Sequence, residues 1–320
     1  MGVRVLYEVP AGGLDASSAR AALLGWLWAR HTRGQFFVSS TGRTPALDDL
    51  RALGLDWDQR LDAAADGEAP QSLDLPPVEG PDAGISIQEW LGRGYSGPAL
   101  VNCLARLGWT PRGRRALLRL DELAARFELG RVSRRPVVFD RRQLDWFNRR
   151  WLAGLDVETV TALLIPHWQA AYGAAERAEG SALSPEVWQQ TLALAIREEL
   201  ARPDQAVEKA RFAFADDLGL DEASRALLEA PYADPILRAF VRELPDVALS
   251  EPTLDVFFRD LRLSFKEQLG IRSRDVMYVL RAALTGRQDG PCLVVACQLL
   301  GPARCVQRAR EALLFPLGCV

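Results

Sequence analysis

The chain has 320 residues, 48% hydrophobic and 25% charged, with a formal net charge of -3. That length suffices for two or three compact units, the apolar content excludes a disordered chain, and the balanced charge leaves only local patches as an electrostatic route to nucleic acid. The cysteines Cys103, Cys292, Cys297, Cys305 and Cys319 form no CxxC pair, His31 and His167 lie far apart, and no charged-then-apolar leader or spanning apolar run occurs; a soluble cytoplasmic protein with reduced thiols, no metal and no membrane contact is expected.

In chain order, "VRVLYEVP" and "GQFFVSS" read as short strands. Between them a helix from Ser17 to about His31 carries Ala19, Leu23 and Leu27 on one face, which makes a βαβ unit. The connection "GGLDASS", residues 12 to 18, is a strand-to-helix turn of small residues, the place where nucleotide-binding folds hold a phosphate. An acid, Asp15, sits in that turn, and Ser17 or Ser18 is expected to cap the helix. A further helix, "TPALDDLRALGL", has Pro45 in its first turn and ends near Gly54. Residues 62 to 84, rich in Ala, Asp, Pro and Gly, have linker chemistry.

From Ile85 onward the periodicity is helical, with expected caps at Asp121, Asp140 and Ser184 before Pro185. The fold class is therefore mainly α: a small α/β unit at the amino terminus, then about three quarters of the chain in helices. A unit under 60 residues long is too small to form a full nucleotide crevice, which opens where a parallel sheet reverses strand order.

Residues 112 to 150 hold twelve arginines against five acids, an excess of seven positive charges. Such a segment suits phosphates along an RNA stem; the plainer alternative is a solvated face with ion pairs through Asp121 or Asp145. Trp90, Trp109, Trp146, Trp151 and Trp188 are expected in the core, with Cys297 and Cys305 as small core residues and His167 as a packing histidine.

"GYSGPALVNCLARLGWTPRG", "LDELAARFELGRVSRRPVVFDRRQLDWFNRRWL" and "LRAALTGRQDGPCLVVACQLLG" resemble the carboxyl-terminal half of bacterial glutamyl-tRNA synthetases, class I aminoacyl-tRNA synthetases, from Ile85 to Leu313. "VPAGGLDASSARAALLGWLWARHTRGQFFV" resembles that family's opening strand, helix and second strand. Between Asp58 and Ala83, where the family has most of its catalytic domain, the chain has a short tether. The resemblance implies a vestigial half-Rossmann unit at 1–60, a linker at 61–84, a stem-contact-like helical domain at 85–153, and an anticodon-binding cage of two helical subdomains at 154–217 and 218–320.

It also implies lost chemistry. The family's HIGH-type turn, whose histidine and glycines contact ATP, is matched by Asp15, Ala16, Ser17 and Ser18, a degenerate ATP site. A carboxylate there repels a triphosphate, and Ala and Ser deny the close backbone approach that glycine allows. The family's substrate-binding arginine aligns with Val5, its acidic stretch with Thr41 and Gly42, and its lysine loop with "PPVEGPDA". Removing even one preorganised group from such a site costs on the order of 3 kcal/mol in transition-state stabilisation. No catalytic residue and no cofactor is expected.

What the resemblance retains is RNA contact. Arg131, Arg134 and Arg135 in "GRVSRRPVVFD" match a region that lies along the inner side of the tRNA; Arg281 and the stretch Gly290, Pro291, Cys292 and Leu293 match family positions that contact anticodon bases. For Arg281 the alternative is a helix-terminal arginine bonding loop carbonyls. The arginine that distinguishes the third anticodon base falls at Glu199, which puts selectivity for glutamate tRNA in doubt. The expected function is tRNA binding, to glutamate tRNA or a tRNA-like RNA, without aminoacylation, in a regulatory or accessory role in translation. The alternatives are an interaction module that docks on a synthetase, amidotransferase or other protein of the translation machinery, and a glutamate-tRNA ligase.

Overall fold

The computed structural model describes residues 3–40, 42, 44–61, 71–113, 117–173, 181 and 183–314. They form two compact units, Met1–Gly154 and Leu155–Val320. The fold is mainly α, and among the described residues no helix is long and apolar enough to cross a membrane.

Unit 1 runs β1 (Arg4–Glu8), α1 (Ala16–His31), β2 (Gln35–Ser39), α2 (Pro45–Ala52), β3 (Gln59–Leu61), β4 (Val78–Glu79), α3 (Ile87–Gly92), α4 (Gly97–Ala105), α5 (Leu120–Arg126), β5 (Val137–Val138) and α6 (Arg141–Ala153). β1, β2 and β3 make a parallel sheet in that order, with Val5 opposite Phe36 and Val38 opposite Arg60. Successive parallel strands joined by helices are the mononucleotide half of a doubly wound fold. β1 and β2 lie where their β-rich runs predict strands; "QRL" carries no β-branched or aromatic residue and is a strand only because β2 offers it an edge. Gly34 enters β2 where a side chain has no room: a Cβ there would lie 1.9 Å from the Val3 carbonyl oxygen.

α1 is the spine of unit 1. Ala19, Leu23 and Leu27 are fully buried, as their spacing predicts. At its far end Trp26 Nε1 donates to Asp56 Oδ1 (2.8 Å), Arg30 pairs with Asp58 (3.0 Å), and Asp58 accepts from the Phe36 amide (2.7 Å). These bonds tie the helix to the chain entering β3. Nearer its start, the buried Arg20 donates from Nε to the Leu107 carbonyl (2.8 Å) and from Nη1 to the Pro76 carbonyl (3.2 Å). One hydrophobic cluster joins residues of β1, β2, α1 and α2 to Trp90, Leu100, Trp109, Phe127, Leu144 and Phe147. Residues 1–60 and 85–153 therefore share a core.

The described part of the linker is fastened to this unit. The Gln71 amide donates to the Arg4 carbonyl (2.9 Å) and its carbonyl accepts from the Leu6 amide (3.1 Å), while β4 pairs in parallel with β5. The Val78 amide donates to Ser17 Oγ (2.9 Å).

Unit 2 contains α7 (Val157–Tyr172), α8 (Pro185–Ile196), α9 (Ala206–Phe214), α10 (Glu222–Leu228), α11 (Ala233–Glu243), α12 (Glu251–Leu269), α13 (Ser273–Thr285) and α14 (Leu293–Leu314), the last kinked at Gly301 before Pro302. Trp168 and Trp188 meet Phe214 in a buried aromatic cluster. On α14, Arg304 and the buried Arg308 reach the backbone ends of two helices: Arg304 Nη1 donates to the Ala213 carbonyl (3.1 Å), and Arg308 to the carbonyls of Leu284 (2.6 Å) and Ala215 (2.7 Å). Burial lowers the Arg308 guanidinium to about 10, still charged at neutral pH.

Two expected caps hold and one moves. Asp140 accepts from the Arg142 amide at the start of α6, and Ser184 from the Val187 amide at the start of α8 with Pro185 next. α5 instead starts after Arg119, with Glu122 accepting from the Arg119 amide (3.0 Å), and Asp121 lies inside the first turn. A carboxylate at the third helical position fixed the boundary two residues earlier.

Candidate nucleotide turn and RNA-facing surfaces

The turn before α1 has the backbone of a phosphate site, and two donors at the helix start, the Ala16 and Ser18 amides, are already used. Asp15 is the helix cap: its Oδ1 accepts from the Ser18 amide (2.8 Å), and Ser18 Oγ accepts from the Asp15 amide (2.9 Å). This reciprocal box replaces the expected capping by Ser17 or Ser18; Ser18 is its third-position partner. The Ala16 amide donates to the Ala83 carbonyl (3.0 Å), and Ser17 Oγ accepts from Val78. Leu14 is pinned from both sides, its amide by Asp49 Oδ2 (2.6 Å) and its carbonyl by the Ile87 amide (2.8 Å).

The electrostatics agree. Asp15 places a carboxylate where a phosphate would need donors, and the buried Asp49 adds another behind the turn. Tyr7 donates to the Ser18 carbonyl (3.0 Å); burial first, then the charges of Asp15 and Asp49, push its phenol well above the usual range, while the bond with Ser18 acts in the opposite sense. Val5 is buried in the core, Gly42 accepts from Arg60, and Thr41 lies outside the described residues. Residues 71–84 contain no lysine.

In the arginine-rich segment, Arg131, Arg134 and Arg135 are exposed in the loop before β5. Arg131 pairs with Glu128 (3.3 Å), which also holds Arg112 (3.1 Å), and Arg119 pairs with Asp121 (2.8 Å). Asp145 accepts from the Tyr95 hydroxyl. Trp90, Trp109 and Trp188 are core residues as expected and Trp151 is half-buried, but Trp146 is 39% exposed. At about 100° per residue Trp146 stands roughly 200° from Leu144, opposite the buried stripe of Leu144, Phe147, Asn148 and Leu152; that angle was readable in the sequence.

In unit 2, Arg281 and Leu293 line one cleft of about 260 Å³ together with Glu251, Asp255, Arg262 and Cys292. Arg281 Nη1 donates to the Gln288 carbonyl (2.9 Å), so the helix-terminal role foreseen as its alternative is present. Its Nε is buried with no partner among the described residues. Pro291 is buried at the foot of α14 and Cys292 is exposed. Glu199 accepts from Lys209 Nζ in a half-buried pair. The amides of Leu293, Val294 and Val295, at the start of α14, have no hydrogen-bond partner among the described residues; the first bond of the helix runs from the Ala296 amide to the Cys292 carbonyl (3.0 Å). Among the described residues no three metal-ligating side chains come together.

Comparisons with known proteins place this geometry. Residues 159–313, all in unit 2, match the anticodon binding domain family. The chain is 30% identical over 226 residues to the glutamate–tRNA ligase of Bacillus licheniformis, covering 69% of this chain and 44% of that protein. It is 31% identical over 229 residues to that of Heliobacterium modesticaldum, covering 71% and 45%. The chain thus spans less than half the length of the curated relatives it matches. Among solved structures, a glutamate tRNA ligase from Elizabethkingia meningosepticum in complex with its amino acid superposes with a TM-score of 0.71, and the glutamate-tRNA synthetase of Elizabethkingia anophelis with 0.74. Each is 13% identical; the alignments cover 98% of this chain and 99% and 100% of those chains, a likeness of fold.

Proposed function

We propose that this shortened relative of the bacterial glutamate–tRNA ligases binds tRNA, or an RNA shaped like it, without charging it, and serves translation as a soluble cytoplasmic regulatory or accessory factor. The observation that carries the reading is the occupied start of α1, in a chain whose residues 159–313 match an anticodon-binding family: Asp15 and the Ala83 carbonyl hold two of the donors that ATP would need, the Ser18 and Ala16 amides. Arg281, Pro291 and Leu293 are the proposed contacts at the anticodon end, and Arg131, Arg134 and Arg135 those along the body of the RNA. Glu199, held by Lys209, offers a base only an acceptor, so the preferred RNA need not be glutamate tRNA.

A gel-shift series with tRNA transcripts should give binding that weakens steeply with salt. Indifference to every tRNA at low salt ends the reading. Glutamate-dependent ATP–pyrophosphate exchange should stay at background; a signal above it makes the chain a ligase.

A second reading, docking on a protein of the translation machinery, is favoured by Val256 and Leu263, exposed seven residues apart on α12, and by Leu269 at its end. Co-purification of a stoichiometric partner that survives Arg281→Ala separates it from the first.

A further inference from the structure

The outer face of α6 has a composition that neither capping nor core packing accounts for. Arg142, Trp146, Arg149 and Arg150 recur at spacings of four, three and one residues, and all four are exposed. At about 100° per residue they fall within one sector of about 100°, opposite the buried stripe. Arg150 lies over the Trp146 ring, 5.5 Å from its centroid, and the Phe147 ring stands nearly perpendicular to it with centroids 5.0 Å apart. Asp145 is the single acid on α6, at the margin of the sector, and accepts from Tyr95. Among the described residues no acid pairs with Arg142, Arg149 or Arg150, whereas Arg119 pairs with Asp121, and Arg112 and Arg131 share Glu128.

We propose that this face is a stacking platform for an unpaired nucleotide of RNA, with the base on Trp146 and Arg150 and the flanking phosphates on Arg142 and Arg149. The inference rests on the RNA-binding reading and sharpens it by naming the kind of nucleotide bound.

Three considerations select that occupant. Unpaired guanidiniums flanking an aromatic ring are the combination by which proteins hold single strands: the positive charges follow the backbone and the ring takes the base. Guanidinium planes also stack on bases, so a base can add to the outer side of Arg150, which lies over Trp146. A duplex offers no free base face, and a stem would draw on the arginines while gaining nothing from the indole. A paired stem therefore explains Arg131, Arg134 and Arg135 but leaves Trp146 without a role.

The test measures binding by fluorescence anisotropy to three labelled RNAs: a tRNA transcript, an unstructured adenine- and cytosine-containing 12-mer, and a hairpin whose paired strands are joined by a polyethylene glycol linker in place of a nucleotide loop, so that every base is paired. Trp146→Leu should weaken the 12-mer and the tRNA on the order of tenfold and spare the hairpin, while Trp146→Phe, which keeps a ring, should retain most of the affinity. Arg142→Gln with Arg149→Gln should lower the salt dependence of 12-mer binding by about two charges. Equal affinity of Trp146→Leu and wild type for every RNA overturns the platform, as does an equal loss on the hairpin. If Arg281→Ala weakens tRNA binding while Trp146→Leu does not, the RNA-binding reading stands and the platform alone falls; if wild type binds none of the three, both fall. Displacement of the 12-mer by poly-glutamate at equal concentration assigns the face to an acidic protein and overturns the RNA occupant. Should Trp146→Leu melt early, Trp146→Phe and the double arginine variant still decide the matter, since both keep the helix and its buried stripe.

Discussion

Two helix starts in this molecule show the same backbone in opposite conditions. At α1 the Ala16 and Ser18 amides are taken by the Ala83 carbonyl and the Asp15 carboxylate. At α14 the Leu293, Val294 and Val295 amides have no hydrogen-bond partner among the described residues and lie beside a cleft that holds Arg281. Every helix start carries donors and a partial positive charge, so the distinction lies in what the rest of the chain does with them. A start that the protein completes with its own acceptors is a folding element. One left open beside an arginine remains able to meet a phosphate or a base edge.

The comparison breaks most sharply behind the closed end. Asp49 is fully buried, and its Oδ2 accepts the Leu14 amide at 2.6 Å. Asp49→Ala should cost about 2–3 kcal/mol of unit 1 stability by leaving that buried donor unmet, and Asp49→Asn, which keeps an acceptor, should recover most of it. Urea melts of the two variants check this; equal stability of Asp49→Ala and wild type would mean the turn is not held from behind.

If Arg281 is the proposed RNA contact, Arg281→Ala should weaken tRNA binding by about 1–2 kcal/mol, roughly tenfold, through loss of that donor and of its bond to the Gln288 carbonyl. Arg281→Lys distinguishes the two causes. A lysine supplies the charge but not the planar fork, so partial recovery assigns the loss to charge, and none assigns it to the fork.

Returning to α1, Asp15→Ala should lower stability by about 1 kcal/mol, the usual worth of a cap, without creating an ATP site, since the Ala83 carbonyl and the second carboxylate at Asp49 remain. Asp15→His should likewise bind no ATP in calorimetry. Micromolar ATP binding by either variant would show that Asp15 alone closes the turn.

How much of this was legible in the sequence depended on how local each determinant was. β1, α1 and β2, and the caps Asp140 and Ser184, declare themselves within a few residues and stand where periodicity and capping chemistry put them. β3 was not legible, because "QRL" is a strand only by courtesy of β2. The cap at α1 is Asp15 and not Ser17 or Ser18; serine and aspartate cap equally well, and only the Asp15 and Ser18 pair of bonds decides between them. The occupation of the Ala16 amide by Ala83 joins positions 67 residues apart, beyond any local pattern. The composition of 112 to 150 revealed the excess of arginine but not which arginines are spent on Glu128 and Asp121.

The smallest expected effect sharpens the open end. Glu199 and Lys209 form a half-buried pair in unit 2, the unit of Arg281, and Arg287 in the loop after α13 feels the Glu199 charge. Such a pair contributes under about 1 kcal/mol to stability, so Glu199→Gln should fold normally. The substitution removes one negative charge and frees Lys209 to meet a phosphate. If the open end faces RNA, tRNA affinity should rise roughly twofold at low salt, and the gain should vanish as added salt screens the freed charge. A gain that persists at high salt would come from a hydrogen bond to a base, and Glu199 would then be a determinant of which RNA is bound. No change at any salt concentration would place the Glu199 side of α9 outside the RNA contact and confine the open end to Arg281, Leu293 and the start of α14.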